Sequence, residues 1–281
     1  NEPVKAKISP RVSPFSYHGR SSAGIAAAGS EKLTKGFGPL LPGFRQIPLG
    51  DLDLLKASIT ENTAAVFIEP VQGEGGIIPV SDAYLRELRA LCDKTGALLG
   101  LDEVQCGMGR TGKLFAHEWA GITPDIMMVA KGIGGGFPLG AVLATENAAS
   151  GMGAGTHGST YGGNPLAMAV GLKVMEIVSD PAFLAEVSRK AGRLRQSLEG
   201  LVAANPGVFE EVRGSGLMLG LKCKVPNTDV VRAGYDAKVL GVPAADNVVR
   251  ILPALNIPDE DIDEAVTRLS QAAATLVEPV A

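Results

Sequence analysis

The first half of the chain contains short, continuous apolar runs separated by segments of helical or loop character. The runs are residues 64–68, 97–101, 126–130 and 139–144. Runs of this length and composition are typical of strands that are buried on both faces of a parallel sheet. A helix is predicted over Ser81–Lys94, where leucines recur on one face and Gly96 follows as a stop. Strands that alternate with helices predict an α/β fold with a mainly parallel sheet covered on both faces.

The C-terminal part of the chain has a different pattern. Two helices are predicted, one after Asn164-Pro165 and one after Asp180-Pro181, where a domain boundary is plausible. The pattern then predicts strands over 208–212, 217–221 and 248–252 and a closing helix over 258–276. We therefore expect a large domain over residues 1–182 and a smaller α+β domain over residues 183–281.

Composition excludes several classes of function. The chain has 281 residues, of which 46% are hydrophobic, so it can bury a large core. Its formal net charge of −4 is spread along the sequence, whereas a nucleic-acid-binding protein needs a clustered basic face. No apolar run reaches the roughly 18 residues of a transmembrane helix, and no signal peptide is recognisable at the start. We expect no nucleic-acid partner and no membrane association.

The spacing of the cysteines and histidines bears on disulfides and metal sites. The three cysteines lie far apart and cannot all pair with one another, which is typical of reduced thiols in a cytoplasmic protein. The three histidines are equally dispersed, and neither residue type shows the spacing of a metal site. The sequence therefore predicts a cytoplasmic protein without a metal.

Two charged residues follow two of the predicted strands. Asp102 ends the second apolar run, and Lys131 follows the third and opens a glycine-rich loop. Ligands of open parallel sheets bind beyond the carboxyl ends of the strands, where both residues would lie. An acid that keeps a pyridine nitrogen protonated and a lysine that forms a Schiff base are the groups that pyridoxal phosphate requires. The alternatives are a capping or surface acid and a surface lysine.

The residues around this pair fit the same interpretation. Gln105 is spaced for a polar contact with another substituent of such a ring, and Val104 offers an apolar contact to its face. Lys131, between a buried strand and a glycine loop, is expected to be partly buried, which favours the neutral, nucleophilic amine.

A glycine motif in the same region suggests a nucleotide site instead. Residues 107–112 match GxGxxG, and Lys113 extends them towards a P-loop. Both nucleotide motifs require the glycines to lead from a strand directly into a helix. Here polar residues intervene after the strand, no clear helix follows, and Leu114 stands where a P-loop has Ser or Thr. A nucleotide-binding protein is the less favoured alternative.

Six motifs occur in a fixed order from about Ser16 to the C-terminus. They are Tyr17–Arg20, Glu69–Gly76, Leu101–Gly112, Ala130–Pro138, Thr156–Pro165 and Arg250–Asn256. In residues and spacing they resemble the class III, omega-type aminotransferases, which have fold type I among the pyridoxal-phosphate-dependent transferases. The resemblance implies pyridoxal 5'-phosphate as the cofactor. It also implies a large cofactor-binding domain and a smaller C-terminal domain.

The resemblance assigns roles around the cofactor. Lys131 matches the Schiff-base lysine and Asp102 the partner of the pyridinium nitrogen, and these are the two predicted catalytic residues. Tyr17 matches the aromatic residue stacked on the ring, and Gln105 the residue near the ring hydroxyl. Thr160 matches a phosphate ligand supplied by the neighbouring subunit, which implies a homodimer with shared active sites. The predicted cofactor-binding set is completed by the residues between Asp102 and Gln105, namely Glu103 and Val104.

Four further residues match substrate contacts of the family. Arg250 matches the arginine that binds the substrate α-carboxylate, since a guanidinium can hold that group with two hydrogen bonds. Arg20 matches the arginine for the distant carboxylate, and Glu74 an acid that pairs with Arg250 when no carboxylate occupies it. Ser159 matches a further substrate contact. From the residues alone, surface charges and a loop acid remain the alternatives.

The activity implied by the resemblance is an amino transfer in arginine biosynthesis. The δ-amino group of N2-acetylornithine would pass to 2-oxoglutarate, giving N-acetylglutamate 5-semialdehyde and glutamate, with succinyl-diaminopimelate as a second donor in lysine biosynthesis. Ornithine, 4-aminobutyrate and diaminopelargonate remain alternative donors. The glycine-containing phosphate cup of the family lies upstream of Tyr17. We therefore expect a chain that lacks about the first third of the usual length, with a catalytically incompetent fragment as a further alternative.

Overall fold

The computed structural model describes residues 11–12, 16–28 and 30–276. The strands are β1 (Arg11–Val12), β2 (Arg45–Gln46), β3 (Ala65–Ile68), β4 (Val71–Gln72), β5 (Ile78–Pro79), β6 (Leu98–Asp102), β7 (Ile126–Val129), β8 (Ala141–Ala144), β9 (Phe209–Ser215), β10 (Met218–Cys223), β11 (Val242–Ala244) and β12 (Val248–Ile251). The α-helices are α1 (Ser22–Ala27), α2 (Glu31–Thr34), α3 (Leu52–Ser58), α4 (Asp82–Thr95), α5 (Glu146–Ala149), α6 (Pro165–Val178), α7 (Pro181–Ala204), α8 (Asn227–Asp236) and α9 (Asp259–Ala274).

The larger sheet confirms the predicted α/β fold. Its strand order is β2-β1-β3-β6-β7-β8, and every neighbouring pair is parallel except β7 and β8. The first three apolar runs form β3, β6 and β7, within a residue of the predicted ends. The fourth run forms a strand only from Ala141 onward, and this strand closes the sheet as an antiparallel edge. The sheet is therefore mainly parallel.

Local signals explain where the helices begin and end. The Ser81 hydroxyl accepts a hydrogen bond from Tyr84 N–H at the start of α4, and Gly96 ends the helix in a left-handed conformation at φ 73°. Asn164 and Asp180 cap α6 and α7 in the same way, each followed by proline in the first turn. These capping residues place the helices where the sequence predicted them.

The smaller sheet is antiparallel, in the order β11-β12-β10-β9. It packs against α7, α8 and α9 around a core that includes Leu198, Phe209 and Ile262. A separate core under the larger sheet includes Leu85, Leu88 and Leu101. We propose that these cores mark two domains with their boundary at residues 182 and 183, because α7 buries its apolar stripe in the second core.

A small third cluster connects the two sheets. It joins Val71, Ile77 and Cys106 to Met218 of β10 and Val248 of β12. Ile77 and Met218 are fully buried, so this contact fixes the smaller sheet against the ends of β3 and β6. Residues on β12 therefore reach the carboxyl edge of the larger sheet.

All three cysteines are free and buried. Burial raises the pKa of the Cys92 thiol to about 12 and that of Cys223 to about 11. The pKa of Cys106 is also raised well above its ordinary value, by complete burial and by the neighbouring Glu103 carboxylate. Among the described residues, no helix is long and apolar enough to cross a membrane.

Candidate active site

Three neighbouring parallel strands each carry a charged residue at the carboxyl end. Glu69 follows β3, Asp102 is the last residue of β6, and Lys131 follows β7 by two residues. Because the strands are parallel and adjacent, these residues share one edge of the sheet, the edge where open α/β folds bind ligands. The structure thus brings the two predicted catalytic residues to one edge and adds Glu69, to which sequence reasoning gave no role.

Asp102 is a buried carboxylate with two fixed partners. It is 6% exposed, and its Oδ1 accepts a hydrogen bond of 3.0 Å from Val104 N–H. Its Oδ2 lies 2.8 Å from Nδ1 of His18, while Nε2 of His18 is buried and has no partner within the described residues. His18 was not predicted as a site residue, although it stands inside the Tyr17–Arg20 motif. The partners hold Asp102 in place and leave the carboxylate able to accept a further donor.

Lys131 begins a 3₁₀ turn, Lys131–Gly134, and has a left-handed backbone at φ 48°. A Cβ on Gly132 would lie 2.8 Å from Met108 Cβ, so glycine lets this turn approach the loop that follows Asp102. The residue is exposed in the described chain, which corrects the expectation of partial burial. Its position at the sheet edge is therefore fixed by the backbone.

A cavity of about 540 Å³ opens beside this turn. Val104, Gln105 and Lys131 line it from the larger sheet, and Leu252 and Asn256 line it from the segment after β12. This volume is within the range of small-molecule sites, about 300–1,000 Å³. The cavity brings the predicted residues Val104, Gln105 and Lys131 together between the two sheets.

Arg250 on β12 is a buried cation at the same edge. The residue is 9% exposed, and its Nη1 lies 2.5 Å from Oε1 of Glu74 and 3.3 Å from Oε1 of Gln105. Its Nε is buried and has no hydrogen-bond partner within the described residues. A buried N–H without an acceptor is costly, and a carboxylate that binds a guanidinium side-on supplies one. The geometry thus fits a carboxylate site that Glu74 partly occupies.

Tyr17 and Arg20 lie within two residues of His18, which contacts Asp102. The Arg20 guanidinium is 5.7 Å from the centre of the Tyr17 ring, a cation–π distance. Arg20 is exposed and Tyr17 is partly buried. Tyr17 is held through its backbone, because its N–H donates to Oε1 of Glu69 at 3.0 Å.

Glu103, predicted as a cofactor contact, directs its side chain into the interior of the fold. The residue is completely buried, and its carboxylate accepts hydrogen bonds from the N–H groups of Ala116 and His117. Nδ1 of His117 and Sγ of Cys106 also lie within hydrogen-bonding distance of this carboxylate. Its acceptor positions are therefore used to anchor the 116–119 turn, a long-range contact that no local sequence signal reveals.

Ser159 and Thr160 stand apart from the cavity. Both are exposed in the segment between α5 and α6. Within the described part of the chain, neither makes a hydrogen bond or ion pair with Asp102, Lys131 or Arg250. The single chain therefore does not bring them to the predicted site.

The glycine motif at residues 107–112 does not form a nucleotide site of the known type. These residues make a series of turns, with left-handed backbone at Met108, Gly109 and Gly112, and no α-helix begins after them. No group of His, Cys, Asp and Glu within the described residues could hold a metal ion.

Known aminotransferases match this chain along nearly its whole length. The family model for class III aminotransferases matches residues 11–273. The chain is 71% identical to an acetylornithine aminotransferase of Rhodobacter capsulatus over 260 residues, 92% of this chain. It is 56% identical to an acetylornithine aminotransferase of Mesorhizobium japonicum over 94% of its length. The chain spans 66% of the length of each of these relatives, slightly less than two thirds.

Solved structures match the fold equally well. The ornithine aminotransferase of Toxoplasma gondii has a TM-score of 0.92 at 30% identity, covering 98% of this chain and 66% of that structure. An N-acetylornithine aminotransferase of Stenotrophomonas maltophilia has a TM-score of 0.80 at 35% identity, with coverages of 97% and 67%. Taken with the geometry of the sheet edge, these matches show that the chain belongs to the class III aminotransferase family.

Proposed function

We propose that this chain is part of a pyridoxal-phosphate-dependent enzyme that transfers the δ-amino group of N2-acetylornithine to 2-oxoglutarate. The products would be N-acetylglutamate 5-semialdehyde and glutamate, and the reaction would serve arginine biosynthesis. The observation that carries the proposal is the juxtaposition of Asp102 and Lys131 at one sheet edge with the Arg250–Glu74 pair. The relatives at 71% and 56% identity are named acetylornithine aminotransferases, which supports this donor.

The residues at the sheet edge fit pyridoxal phosphate. Asp102 is a buried acid with an imidazole behind it, and a protonated ring nitrogen is a partner that such a carboxylate stabilises. Val104 and Gln105 line the adjoining cavity with one apolar and one amide side chain, as ring contacts require. When bound, the cofactor supplies an aldehyde and a ring that accepts electrons from the substrate carbon.

Each side chain at this edge of the sheet would have a separate role in the reaction. Asp102 would hold the proton on the ring nitrogen, and His18 would hold Asp102 in its orientation. Lys131 Nζ would anchor the cofactor and, once released, take the proton from the substrate carbon that carries the amine. Tyr17 would cover one face of the ring, with its backbone fixed by Glu69.

The Arg250–Glu74 pair offers a way to accept two kinds of substrate. Glutamate has two carboxylates, which would engage Arg20 and Arg250 together. N2-acetylornithine has one carboxylate, which Arg20 would hold while Glu74 stays paired with Arg250 at 2.5 Å. The pair would thus neutralise Arg250 only when no carboxylate is present.

We also propose a cytoplasmic homodimer with shared active sites. The segment from β8 to α6 exposes large apolar side chains, including Val142, Tyr161, Leu166 and Leu172. Several large apolar side chains exposed within one segment of the chain favour a protein–protein interface there. Ser159 and Thr160 lie within the same exposed segment, so a second copy packed there would receive them at its own cofactor site.

Two other amine donors remain candidates, one from a structural match and one from its chemical likeness to N2-acetylornithine. The structural match at TM-score 0.92 is an ornithine aminotransferase, which favours free ornithine as a second candidate. Succinyl-diaminopimelate shares with N2-acetylornithine an acylated α-amine beside a carboxylate and a free amine at the far end of the chain, but there it carries a second carboxylate. Steady-state rates with the three donors, each paired with 2-oxoglutarate, would rank them. A preference for free ornithine would overturn the substrate proposal and leave the reaction class intact.

The test of the reaction class is covalent. The protein is incubated with pyridoxal phosphate, reduced with borohydride and digested, and the labelled peptide is sequenced. We expect the label on Lys131 and none on a Lys131→Ala variant, together with ping-pong kinetics for the amino transfer. Labelling at another lysine, or full turnover by the alanine variant, would overturn the proposal.

A further inference from the structure

Glu69 lies at the carboxyl end of β3, next to Asp102, and is almost fully buried at 4% exposure. Its two oxygens serve different segments of the chain. Oε1 accepts the Tyr17 N–H at 3.0 Å, and Oε2 accepts the Gly73 N–H at 3.0 Å. One carboxylate therefore joins a segment 52 residues upstream to the loop that follows its own strand.

Both joined segments lead directly to the proposed site. Tyr17 carries the ring assigned to the cofactor face, and the next residue, His18, reaches Asp102 at 2.8 Å. Gly73 precedes Glu74, which pairs with Arg250. Gly73 also packs tightly on Gln105, because a Cβ there would lie 2.3 Å from the Gln105 amide nitrogen.

The two hydrogen bonds of Glu69 require a side chain with two acceptor atoms at this position. Two backbone N–H groups need two acceptors, and a carboxylate provides one on each oxygen. A glutamine would offer one oxygen and one NH₂ group, and the NH₂ group would face an N–H donor without an acceptor.

Burying the Glu69 carboxyl has an electrostatic cost, which appears as a raised pKa. Burial raises the pKa of Glu69 from 4.5 to about 7, and the charge of Asp102 adds to the rise. The N–H groups of Gly73 and Tyr17 and the neighbouring His18 oppose it. The two N–H hydrogen bonds offset part of this cost, and a shorter or amide side chain cannot make both of them.

We propose that Glu69 is a positioning residue that fixes the Tyr17 ring and the Glu74 carboxylate relative to Asp102 through its two oxygens. The proposal rests on the proposed function, because the tasks of Tyr17 and Glu74 come from it. Glu69 acts on the substrate side only through Gly73 and Glu74. Its loss should therefore affect a donor with one carboxylate more than a donor with two.

The test uses Glu69→Gln, with Asp125→Asn as the matched control. Asp125 is also a carboxylate that accepts a backbone N–H, from Leu99 at 2.7 Å, but it lies at the opposite end of β6. The first measurement is amide hydrogen exchange. We expect exchange at Tyr17 or Gly73 to become at least about tenfold faster in Glu69→Gln, as the loss of one hydrogen bond to a charged acceptor implies. Both amides should keep their protection in Asp125→Asn.

The second measurement separates positioning from a general loss of structure. We expect the KM for N2-acetylornithine to rise about tenfold in Glu69→Gln and the KM for glutamate to change about threefold or less. The affinity for pyridoxal phosphate should also fall in this variant, because the Tyr17 ring loses its anchor. Asp125→Asn should change neither KM nor cofactor affinity.

The outcomes distinguish this proposal from the proposed function. Unchanged protection at both amides in Glu69→Gln would overturn the positioning role even in an active enzyme, and so would equal increases of both KM values. If the wild-type protein transfers no amino group, the proposed function fails while the exchange measurement still decides whether Glu69 fixes the two segments. Should the glutamine variant not fold, Glu69→Asp carries the same test, since its shorter side chain cannot keep both 3.0 Å contacts. Retained protection at both amides in Glu69→Asp would equally overturn the proposal.

Discussion

Replacing Glu74 with glutamine is the sharpest test of how one cavity accepts two kinds of substrate. Glutamine keeps the shape of the side chain and an acceptor oxygen, but removes the negative charge that faces Arg250 at 2.5 Å. Arg250 is buried and its Nε has no partner within the described residues, so it relies on Glu74 for its charge balance. With a donor that has one carboxylate, the variant would leave Arg250 without a counter-ion.

The magnitude follows from the geometry. Two unit charges about 4 Å apart attract by roughly 4 kcal/mol at an effective dielectric constant of about 20. Because the Glu74 side chain is 41% exposed, water screens part of this energy. We take about 1–2 kcal/mol as the net loss, and 1.4 kcal/mol corresponds to a tenfold change in an equilibrium constant. An Arg250 that lacks this partner would compete with Arg20 for the single carboxylate of N2-acetylornithine, so kcat/KM for this donor should fall about tenfold in Glu74→Gln.

The glutamate half-reaction should respond in the opposite direction or not at all. Glutamate brings a second carboxylate that replaces Glu74 on Arg250, so the variant no longer has to break an ion pair before binding it. Single-turnover kinetics with each donor, followed by the absorbance of the bound cofactor, measure the two half-reactions separately.

The matched control is Glu211→Gln, which removes the charge from another 2.5 Å pair, with Arg213 on β9. This pair lies outside the proposed site, and the control should leave both half-reactions unchanged. Equal losses in the two half-reactions of Glu74→Gln would refute the reasoning, and so would an unchanged kcat/KM for the single-carboxylate donor.

Four further outcomes follow from the structure. Asp102→Asn should lower the rate of amino transfer at least about 100-fold, because an amide cannot hold the ring nitrogen protonated; steady-state turnover checks this. The pKa of Glu69 is raised to about 7, so its contribution to the free energy of unfolding is full below about pH 4.5 and falls by about 3 kcal/mol as the pH rises to 7. Urea titrations at several pH values should show a smaller decrease of the free energy of unfolding with pH in Glu69→Gln. Gly214→Ala should destabilise the smaller sheet by several kcal/mol, roughly the upper range for point substitutions, because the new Cβ would lie 2.0 Å from Met218 O at φ +116°; the thermal midpoint measures this. Leu99→Ala should cost about 3 kcal/mol in a denaturant titration, since Leu99 is fully buried in β6.

The features that the sequence predicted are the ones encoded locally. Continuous apolar runs predicted β3, β6 and β7. The charged residues at the ends of two of these runs predicted Asp102 and Lys131 as site residues. Capping residues and prolines gave the starts of α6 and α7. Each of these signals lies within a few residues of the feature that it predicts.

The features that were missed depend on contacts between distant segments. Apolar composition does not encode strand direction, so the antiparallel pairing of β8 was not visible. Glu69, His18 and Glu103 each have a hydrogen-bond partner between 13 and 84 residues away, which only the folded chain brings together. The solvent exposure of Lys131 depends on the segments that pack around the cavity, and the residues beside Lys131 in sequence do not reveal it.

The burial of the three cysteines has a practical consequence for studying this protein. Maleimides and similar reagents attack the thiolate, and burial keeps Cys92, Cys106 and Cys223 protonated at neutral pH. A cysteine introduced at an exposed position such as Leu240, which is 81% exposed, should therefore react far faster than the natural ones. A fluorescent probe can then be attached at one chosen point without first removing any native thiol.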